Sequence, residues 1–495
     1  MPPRASLKTF LATARAALTA HSSKRTTPLT FVVGNESADL DSLCSALLLA
    51  YFHTYAPPKK RAAVPEANTG TSSSTTLHIP ICHLHRADLA LRPEFAAVLR
   101  DAGVRGDDVF TLEDVLPHRD AAVAAAGSDK VAAAAVVSPE DTRWLLVDHN
   151  AMTGCLASAF AARVVGCVDH HADEGVVPRD ASPRVIEKCG SCASLVVERC
   201  ADGWGALGAG DGDGNGNGVG SGERSRIGSG IRKRREDVVI DAQIARLALA
   251  PILVDTANLG DENKTTARDE RAVALAEAKI AEAEMVVAAA AAEHATDADD
   301  SGSNSSSGGG GGGGIVERYD RNAFFARLSA LKEDISNMAF RDVFRKDYKE
   351  WSVGGLTLAT ASVPRGFAYL VGEKARGDGG AFVAALRDWA GEKDARGKMD
   401  LLVVLPAFQD VDDGRFRREL LVWARTEAGV RAAKLFEERY ADTLRLETWG
   451  DGALDENGGG SAELRRCWTQ GAVGYGRKQI APMLRDALKE VSGHE

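Results

Sequence analysis

Three short clusters of acidic and imidazole-bearing residues, each placed directly after an apolar run, constrain this chain more than any other feature. The first is Gly34-Asn35-Glu36-Ser37-Ala38-Asp39-Leu40-Asp41-Ser42, after Leu29 to Val33. The second is Asp148-His149-Asn150, after Trp144 to Val147, and the third is Asp169-His170-His171, after Val164 to Val168. Short continuous apolar runs read as buried parallel strands. Each cluster then stands where a strand ends, the edge at which open α/β sheets bind their ligands. Carboxylates gathered at one edge repel one another unless cations join them. The pattern predicts a two-metal hydrolytic site.

The rest of the chain supports that frame. A length of 495 residues suggests two domains with linkers. Strand and helix patterns alternate from about Leu29 to Leu259, which predicts an α/β fold with a doubly wound parallel sheet over residues 1–294. Asp41 to Tyr55 reads as a helix and Leu77 to His83 as another strand. Residues 201–236, with Gly-Asp-Asn repeats, read as a disordered surface insertion. From Val238 a helix leads into Leu249 to Leu259, the segment that carries Asp255, and Thr265 to His294 reads as a long Ala/Glu-rich helix. Residues 295–314, Asp- and Ser-rich and then poly-Gly, read as a flexible linker. A second, α+β domain follows over 315–495, with strands at Leu356 to Val363, Leu401 to Leu405 and Glu419 to Ala424.

Composition narrows the partners. A net charge of −10 argues against a general nucleic-acid or anionic-membrane binder, although a local field can still favour an anionic substrate. Eight irregularly spaced cysteines suit a reducing compartment better than a disulfide framework. No run has the length of a membrane-spanning helix. The N-terminus has no acidic residue before Glu36 and carries Arg4, Lys8, Arg15, Lys24 and Arg25, as a mitochondrial transit peptide would. The plainer reading is an amphipathic helix from Ser6 to Ala20, with Leu7, Phe10, Leu11 and Leu18 on one side. The expected compartment is the cytoplasm, with the mitochondrion as the alternative, and the expected state is a monomer.

Hard ions such as Mg²⁺ or Mn²⁺ take oxygen ligands, and imidazole tips the choice toward Mn²⁺ or Co²⁺. Asp39 and Asp41, two apart on an extended turn, can face different ions. Asp148 is the natural bridge, and His170 and Asp255 complete the set. Four carboxylates balance two dications, and a hydroxide held between ions about 3.5–4 Å apart is a strong nucleophile. Taken singly, an Asp-x-Asp is usually a turn or cap, a His pair is usually surface, and Asp255 before Thr256 could cap a helix. Four clusters in a strand-end setting favour the joint reading.

At these residues the chain resembles the DHH phosphoesterase superfamily, named for the triplet at Asp169-His170-His171, and most of all its cytosolic eukaryotic exopolyphosphatases. Family II inorganic pyrophosphatases and prune-type phosphodiesterases are relatives. The resemblance covers the chain apart from 201–236 and 295–314. It implies that Asp39 and Asp148 hold one ion, and that Asp41, Asp148, His170 and Asp255 hold the other. It also implies that His171 faces the substrate phosphate, with His149 and Asp169 supporting the ligands. Asn35 stands where the pyrophosphatases carry a ligand His, and so would be a weak ligand. Asp347-Tyr348-Lys349-Glu350-Trp351 resembles the segment whose Lys contacts substrate. Gly474-Tyr475-Gly476-Arg477-Lys478-Gln479 is similar to a Ser-Arg-Lys signature, with Gly476 in place of Ser.

The function implied is removal of terminal phosphate from inorganic polyphosphate, or from another short phosphoanhydride. Asp148, His149 and His171 would act at the reacting group, and Lys349, Arg477 and Lys478 would grip the substrate. A Mn²⁺-dependent pyrophosphatase, a prune-like phosphodiesterase and an idle polyphosphate-binding scaffold are the alternatives. Cys189-Gly190-Ser191-Cys192 has redox spacing, but Ser191 reads better as the cap of a helix running to about Arg199. Arg415, Arg417 and Arg418 read equally as an anion path or a solvated strand face.

Overall fold

The computed structural model describes residues 4–20, 28–56, 76–116, 137–208, 223–299, 318–394, 399–410, 412–457 and 463–493. They fall into two compact units, Met1–Ser329 and Ala330–Glu495.

The first unit opens with α1 (Leu7–Thr19), capped by Ser6, whose Oγ accepts the Thr9 N–H at 3.2 Å. Leu7, Phe10, Leu11, Ala14 and Leu18 are buried, as the amphipathic reading requires. Arg4 pairs with Asp241, and the Tyr51 hydroxyl donates to the Ala5 carbonyl, so this segment packs into the core of the unit. Behind it lies a five-stranded sheet of β1 (Leu29–Val33), β2 (His78–Ile81), β3 (Thr142–Val147), β4 (Val164–Asp169) and β5 (Arg184–Ile186). The strand order is β2-β1-β3-β4-β5 and every pairing is parallel. Order therefore reverses between β1 and β3, and the crevice at such a switch point is where an open parallel sheet binds ligands. Because β1, β3 and β4 are neighbours, the three clusters that follow them share one edge.

Helices follow the strands: α2 (Leu40–Tyr55), α3 (Pro93–Asp101), α4 (Gly154–Phe160), α5 (Cys192–Gly208), α6 (Glu223–Asp255), α7 (Ala267–Asp299) and α8 (Arg321–Glu333). Three sequence readings change here. Residues 201–208 continue α5 instead of opening an insertion, because Trp204 is fully buried and its indole bonds Asp241. Residues 223–236 belong to α6, and 209–222 lie outside the described residues. Residues 295–299 extend α7, while most of the Gly-rich tract lies outside the described residues. Residues 319–329, read as second domain, fall in the first unit: Arg321 pairs with Glu277 of α7, and the Tyr319 N–H bonds Glu284 at 2.7 Å.

The second unit is α+β. Its six strands are β6 (Tyr348–Val353), β7 (Leu356–Val363), β8 (Leu401–Gln409), β9 (Phe416–Ala424), β10 (Leu446–Thr448) and β11 (Leu464–Gln470), in the order β10-β11-β9-β8-β7-β6. Only β7 and β8 pair in parallel. The period of two divides the strands between two cores. Ala359, Ala361, Leu402, Val404, Leu421 and Trp423 face one side with Phe344, Phe382 and Trp389. Leu358, Leu401, Val403, Leu420 and Val422 face the other with Phe436, Leu484 and Leu488. Helices α9 (Phe340–Lys346) and α10 (Gly379–Lys393) supply the first partners. Helices α11 (Glu427–Leu444) and α12 (Arg477–Ser492) supply the second.

Candidate metal centre

Asp148 is the hub of the shared edge. It follows β3 in a left-handed conformation, φ +60°, and is 2 % exposed. A non-glycine residue holds that conformation only where its surroundings fix it. Here Ser42 donates Oγ–H to Asp148 Oδ2 at 2.6 Å, and Asn35 Nδ2 donates to the same oxygen at 2.7 Å and to the Asp148 carbonyl at 3.2 Å. Ser42 in turn accepts the Asn35 backbone N–H at 3.1 Å. Gly34 makes the approach possible, since a Cβ there would lie 2.6 Å from Ser42 Cβ. Burial and the nearby Asp39 and Asp41 push the Asp148 carboxyl well above the usual range.

Asp39 caps α2 through Oδ1, which accepts the Ser42 N–H at 3.0 Å. Asp41, in the first turn of α2, reaches the start of α5. Its Oδ1 accepts Ser191 Oγ–H at 2.8 Å and the Ala193 N–H at 3.0 Å, and its Oδ2 accepts the Cys192 N–H at 2.6 Å. Asn35 Oδ1 accepts the Ser37 N–H at 2.8 Å. The amide therefore turns its nitrogen, not its oxygen, toward Asp148.

From β4, Asp169 is fully buried and accepts the backbone N–H of His170 at 2.8 Å and of His171 at 3.2 Å, together with Asn150 Nδ2 at 2.6 Å. It also holds His171 Nδ1 at 2.8 Å. Burial opposes its charge, but the bonds from His171 and Asn150 outweigh that and hold its carboxyl below the ordinary value. His170 Nδ1 lies 3.0 Å from the Cys189 carbonyl and must carry the proton there, which leaves Nε2 on the side of Asp148, at 3.1 Å, and Asp41, at 4.0 Å. Although burial opposes the cation, Asp148, the Cys189 side chain and Asp41 together push the imidazole up to about 12. One ligand atom each from Asp148, His170 and His171 lie within 4.8 Å of one another. A buried carboxylate, an imidazole with a dictated tautomer and excess acid are the donor set a hard or borderline dication takes.

His149, 9 % exposed, bonds the Val147 carbonyl through Nδ1 at 2.9 Å. Asp255 departs from the strand-end expectation, being the last residue of α6. The apolar run before it is helical despite Pro251, and a continuous apolar run does not by itself separate strand from helix. Ala257, Asn258 and Leu259 then take positive φ of 50°, 59° and 66°. The Cys189 and Cys192 thiols are buried, and burial pushes both up, which leaves them poor nucleophiles.

The reading of the sequence missed two supports. Buried Arg92 donates Nε–H to the Ala38 carbonyl at 2.9 Å and an NH2 proton to the Ser37 carbonyl at 2.7 Å, clamping the turn before Asp39. No local pattern marks it. Asn150, quoted in its cluster without a role, bonds Asp169, the Ala172 carbonyl and the Glu174 N–H.

In the second unit, Arg477 opens α12 and donates to the Asp347 carbonyl at 3.0 Å and to Asp347 Oδ1 at 2.7 Å. Lys349 lies two residues on, in β6, so Lys349, Arg477 and Lys478 share one region of that unit. The arginine trio of β9 divides. Arg417 pairs with Asp410 and Asp413, and Arg415 is exposed. Arg418 donates Nε–H to the Val473 carbonyl at 2.8 Å and places NH2 3.1 Å from where a Cβ on Gly476 would stand.

Residues 30–214 match the model of the DHH family, N-terminal domain, and residues 326–487 that of the DHHA2 domain. The chain is 26 % identical to the Schizosaccharomyces pombe protein named "Putative exopolyphosphatase", over 93 % of this chain and 91 % of that one. It is 31 % identical to the Rattus norvegicus protein named Exopolyphosphatase PRUNE1, over 40 % of this chain and 35 % of that one. It is 21 % identical to the Homo sapiens protein of the same name, over 97 % of this chain and 79 % of that one. With a parallel sheet whose edge gathers Asp148 and the Asp169-His170-His171 triplet, and with a mixed-sheet second unit, the chain carries a DHH-family N-terminal domain over residues 30–214 and a DHHA2 domain over residues 326–487.

Proposed function

We propose that the protein is a metal-dependent exopolyphosphatase of a reducing, cytoplasmic compartment that releases orthophosphate from the end of inorganic polyphosphate. The observation that carries this reading is the convergence of Asp148, His170 and His171, with the His170 tautomer set by the Cys189 carbonyl. Relatives along most of the chain bear exopolyphosphatase names.

Asp39, Asp41, Asp148, His170 and Asp255 would hold two divalent ions, Mn²⁺ or Mg²⁺, with Co²⁺ as a substitute. When bound, such ions lower the pKa of a held water and offset charge on the reacting phosphoryl group. The chain's own residues do the positioning. Asn35 and Ser42 hold Asp148 in one orientation. Asn35 serves the centre through that bond rather than as more than a weak ligand, because its oxygen is engaged by Ser37. Asp169 holds the ring of His171 through Nδ1, and His171 would face the substrate phosphate. His149 supports the reacting group. Lys349, Arg477 and Lys478 bind substrate phosphates.

The test is phosphate release from long-chain polyphosphate, pyrophosphate and a cyclic nucleotide, each with and without a chelator. Chelator-sensitive release from polyphosphate supports the reading. A preference for pyrophosphate or the cyclic nucleotide replaces it with a pyrophosphatase or a phosphodiesterase. Binding without release leaves a scaffold.

A further inference from the structure

Asp269 lies outside the ligand set, yet its bonds reach the anchors of three of the proposed ligands. It is fully buried, and no Lys or Arg is paired with it among the described residues. A buried carboxylate without a counter-charge is costly unless donors converge on it. Five do. The Thr266 N–H at 2.8 Å and Thr266 Oγ–H at 2.7 Å belong to the residue just before its own helix. The other three come from the distant start of α5: the Gly190 N–H at 2.9 Å, the Ser191 N–H at 3.3 Å and the Ser194 Oγ–H at 2.6 Å. A helix cap for α7 needs none of those.

The segment so held, residues 189–194, touches the centre on three sides. Its Cys189 carbonyl sets the His170 tautomer. Its Ser191, Cys192 and Ala193 donors orient Asp41. At Gly190 a Cβ would lie 2.5 Å from the methyl of Thr256 and 3.0 Å from Asp269 Oδ2, so the residue next to Asp255 packs on the same spot. Only a glycine permits that three-way approach.

We propose that Asp269 is a positioning residue of the metal centre: by fixing the Gly190–Ser191 backbone it sets the orientations of His170 and Asp41 and the seat of the Asp255 turn. The proposal rests on the reading that His170 and Asp41 hold ions. It goes beyond that reading in giving the centre a support from the start of α7. The signal in the sequence, Thr266-x-x-Asp269, announces only a helix start.

The experiment is a Mn²⁺ titration of the full chain followed by the electron paramagnetic resonance of free Mn²⁺, with the visible spectrum of the Co²⁺-loaded protein beside it. Four chains are compared: wild type, Asp269→Asn, Ser194→Ala and Asp148→Asn. Asp269→Asn replaces acceptor oxygen with an amide that opposes the converging donors. It should weaken Mn²⁺ binding about tenfold or more, the usual cost of losing a group that orients a ligand. It should also change the Co²⁺ band positions. Ser194→Ala removes one of the five donors and should give a smaller weakening in the same direction. A purely structural role would lower the unfolding midpoint and leave the affinity and bands of the folded protein as in wild type. That result in Asp269→Asn, or in Ser194→Ala should the first variant not fold, overturns the proposal. If wild type and Asp148→Asn bind Mn²⁺ equally, the ligand assignment itself fails and the proposal falls with it.

Discussion

Asp148 concentrates the chemistry of the first unit in one side chain, since its carboxylate meets Asn35, Ser42 and His170 while its backbone holds a left-handed turn. Asp148→Asn removes charge without removing volume. Turnover on polyphosphate should fall at least about a thousandfold, because two ions lose a shared anionic ligand. Retention of more than about a tenth of wild-type turnover would remove Asp148 from the bridging role. Glu419 is a buried carboxyl of the other unit. Its Oε2 accepts the Phe367 N–H at 2.6 Å, and burial raises it to about 7. A folded-state value above the ordinary 4.5 means that the native state prefers the protonated form. The stability it contributes is full below pH 4.5 and is lost as pH rises through about 7. Glu419→Gln keeps an acceptor for Phe367 and abolishes the charge. It should raise stability at pH 8 by up to about 3 kcal/mol and do little at pH 4.5. Urea unfolding at the two pH values measures it, and an equal effect at both would show that the charge is not the cause.

Helix starts carry part of the candidate site beside the strand ends. Asp39 caps α2, Asp41 meets the start of α5, and Arg477 opens α12. The start of α5 is held from behind by the helix body, where Trp204 packs without exposure. Trp204→Ala leaves a large cavity and breaks the bond to Asp241, which should cost about 3–5 kcal/mol. A change under about 1 kcal/mol in chemical denaturation would show that the segment beyond Ala201 bears no load. At the start of α12 the β9 arginines offer a paired comparison. Arg418 stands by Gly476 with no carboxylate partner among the described ion pairs, whereas Arg417 is neutralised by Asp410 and Asp413. Arg418→Ala should raise KM for polyphosphate about tenfold, the scale of one charge-assisted hydrogen bond. Arg417→Ala should leave it unchanged. Equal effects would mean that the strand acts only as a diffuse positive surface.

On the proposed reading, the first unit holds the ions, and Lys349, Arg477 and Lys478 of the second bind substrate phosphates. Stripping metal should therefore abolish turnover while leaving much of the polyphosphate affinity, because Lys349, Arg477, Lys478 and Arg418 need no ion to bind phosphate. Binding of labelled polyphosphate to the chelator-treated protein measures this. Affinity that vanishes with the metal would place the grip in the centre itself. The net charge of −10 is no obstacle, since local cations, not the total, set the field at a binding surface.

The sequence by itself determined where strands end and which candidate ligands stand there. Apolar runs closing on Asp148 and Asp169 are local patterns, and local patterns survive without tertiary context. The α+β character of the second unit was legible for the same reason, in the alternation of β7, β8 and β9. What the tertiary structure decided were relations between distant residues. Strand order alone makes β1, β3 and β4 neighbours, and so joins Asn35 to Asp148. Burial of Trp204 turned a Gly-rich stretch into helix, because packing energy outweighs weak local propensity. That Asp255 ends a helix was not legible, because a continuous apolar run carries no period to distinguish helix from strand. Arg418 and Arg417 are adjacent and chemically identical, and only the tertiary structure gives them different surroundings, carboxylates beside Arg417 and Gly476 beside Arg418.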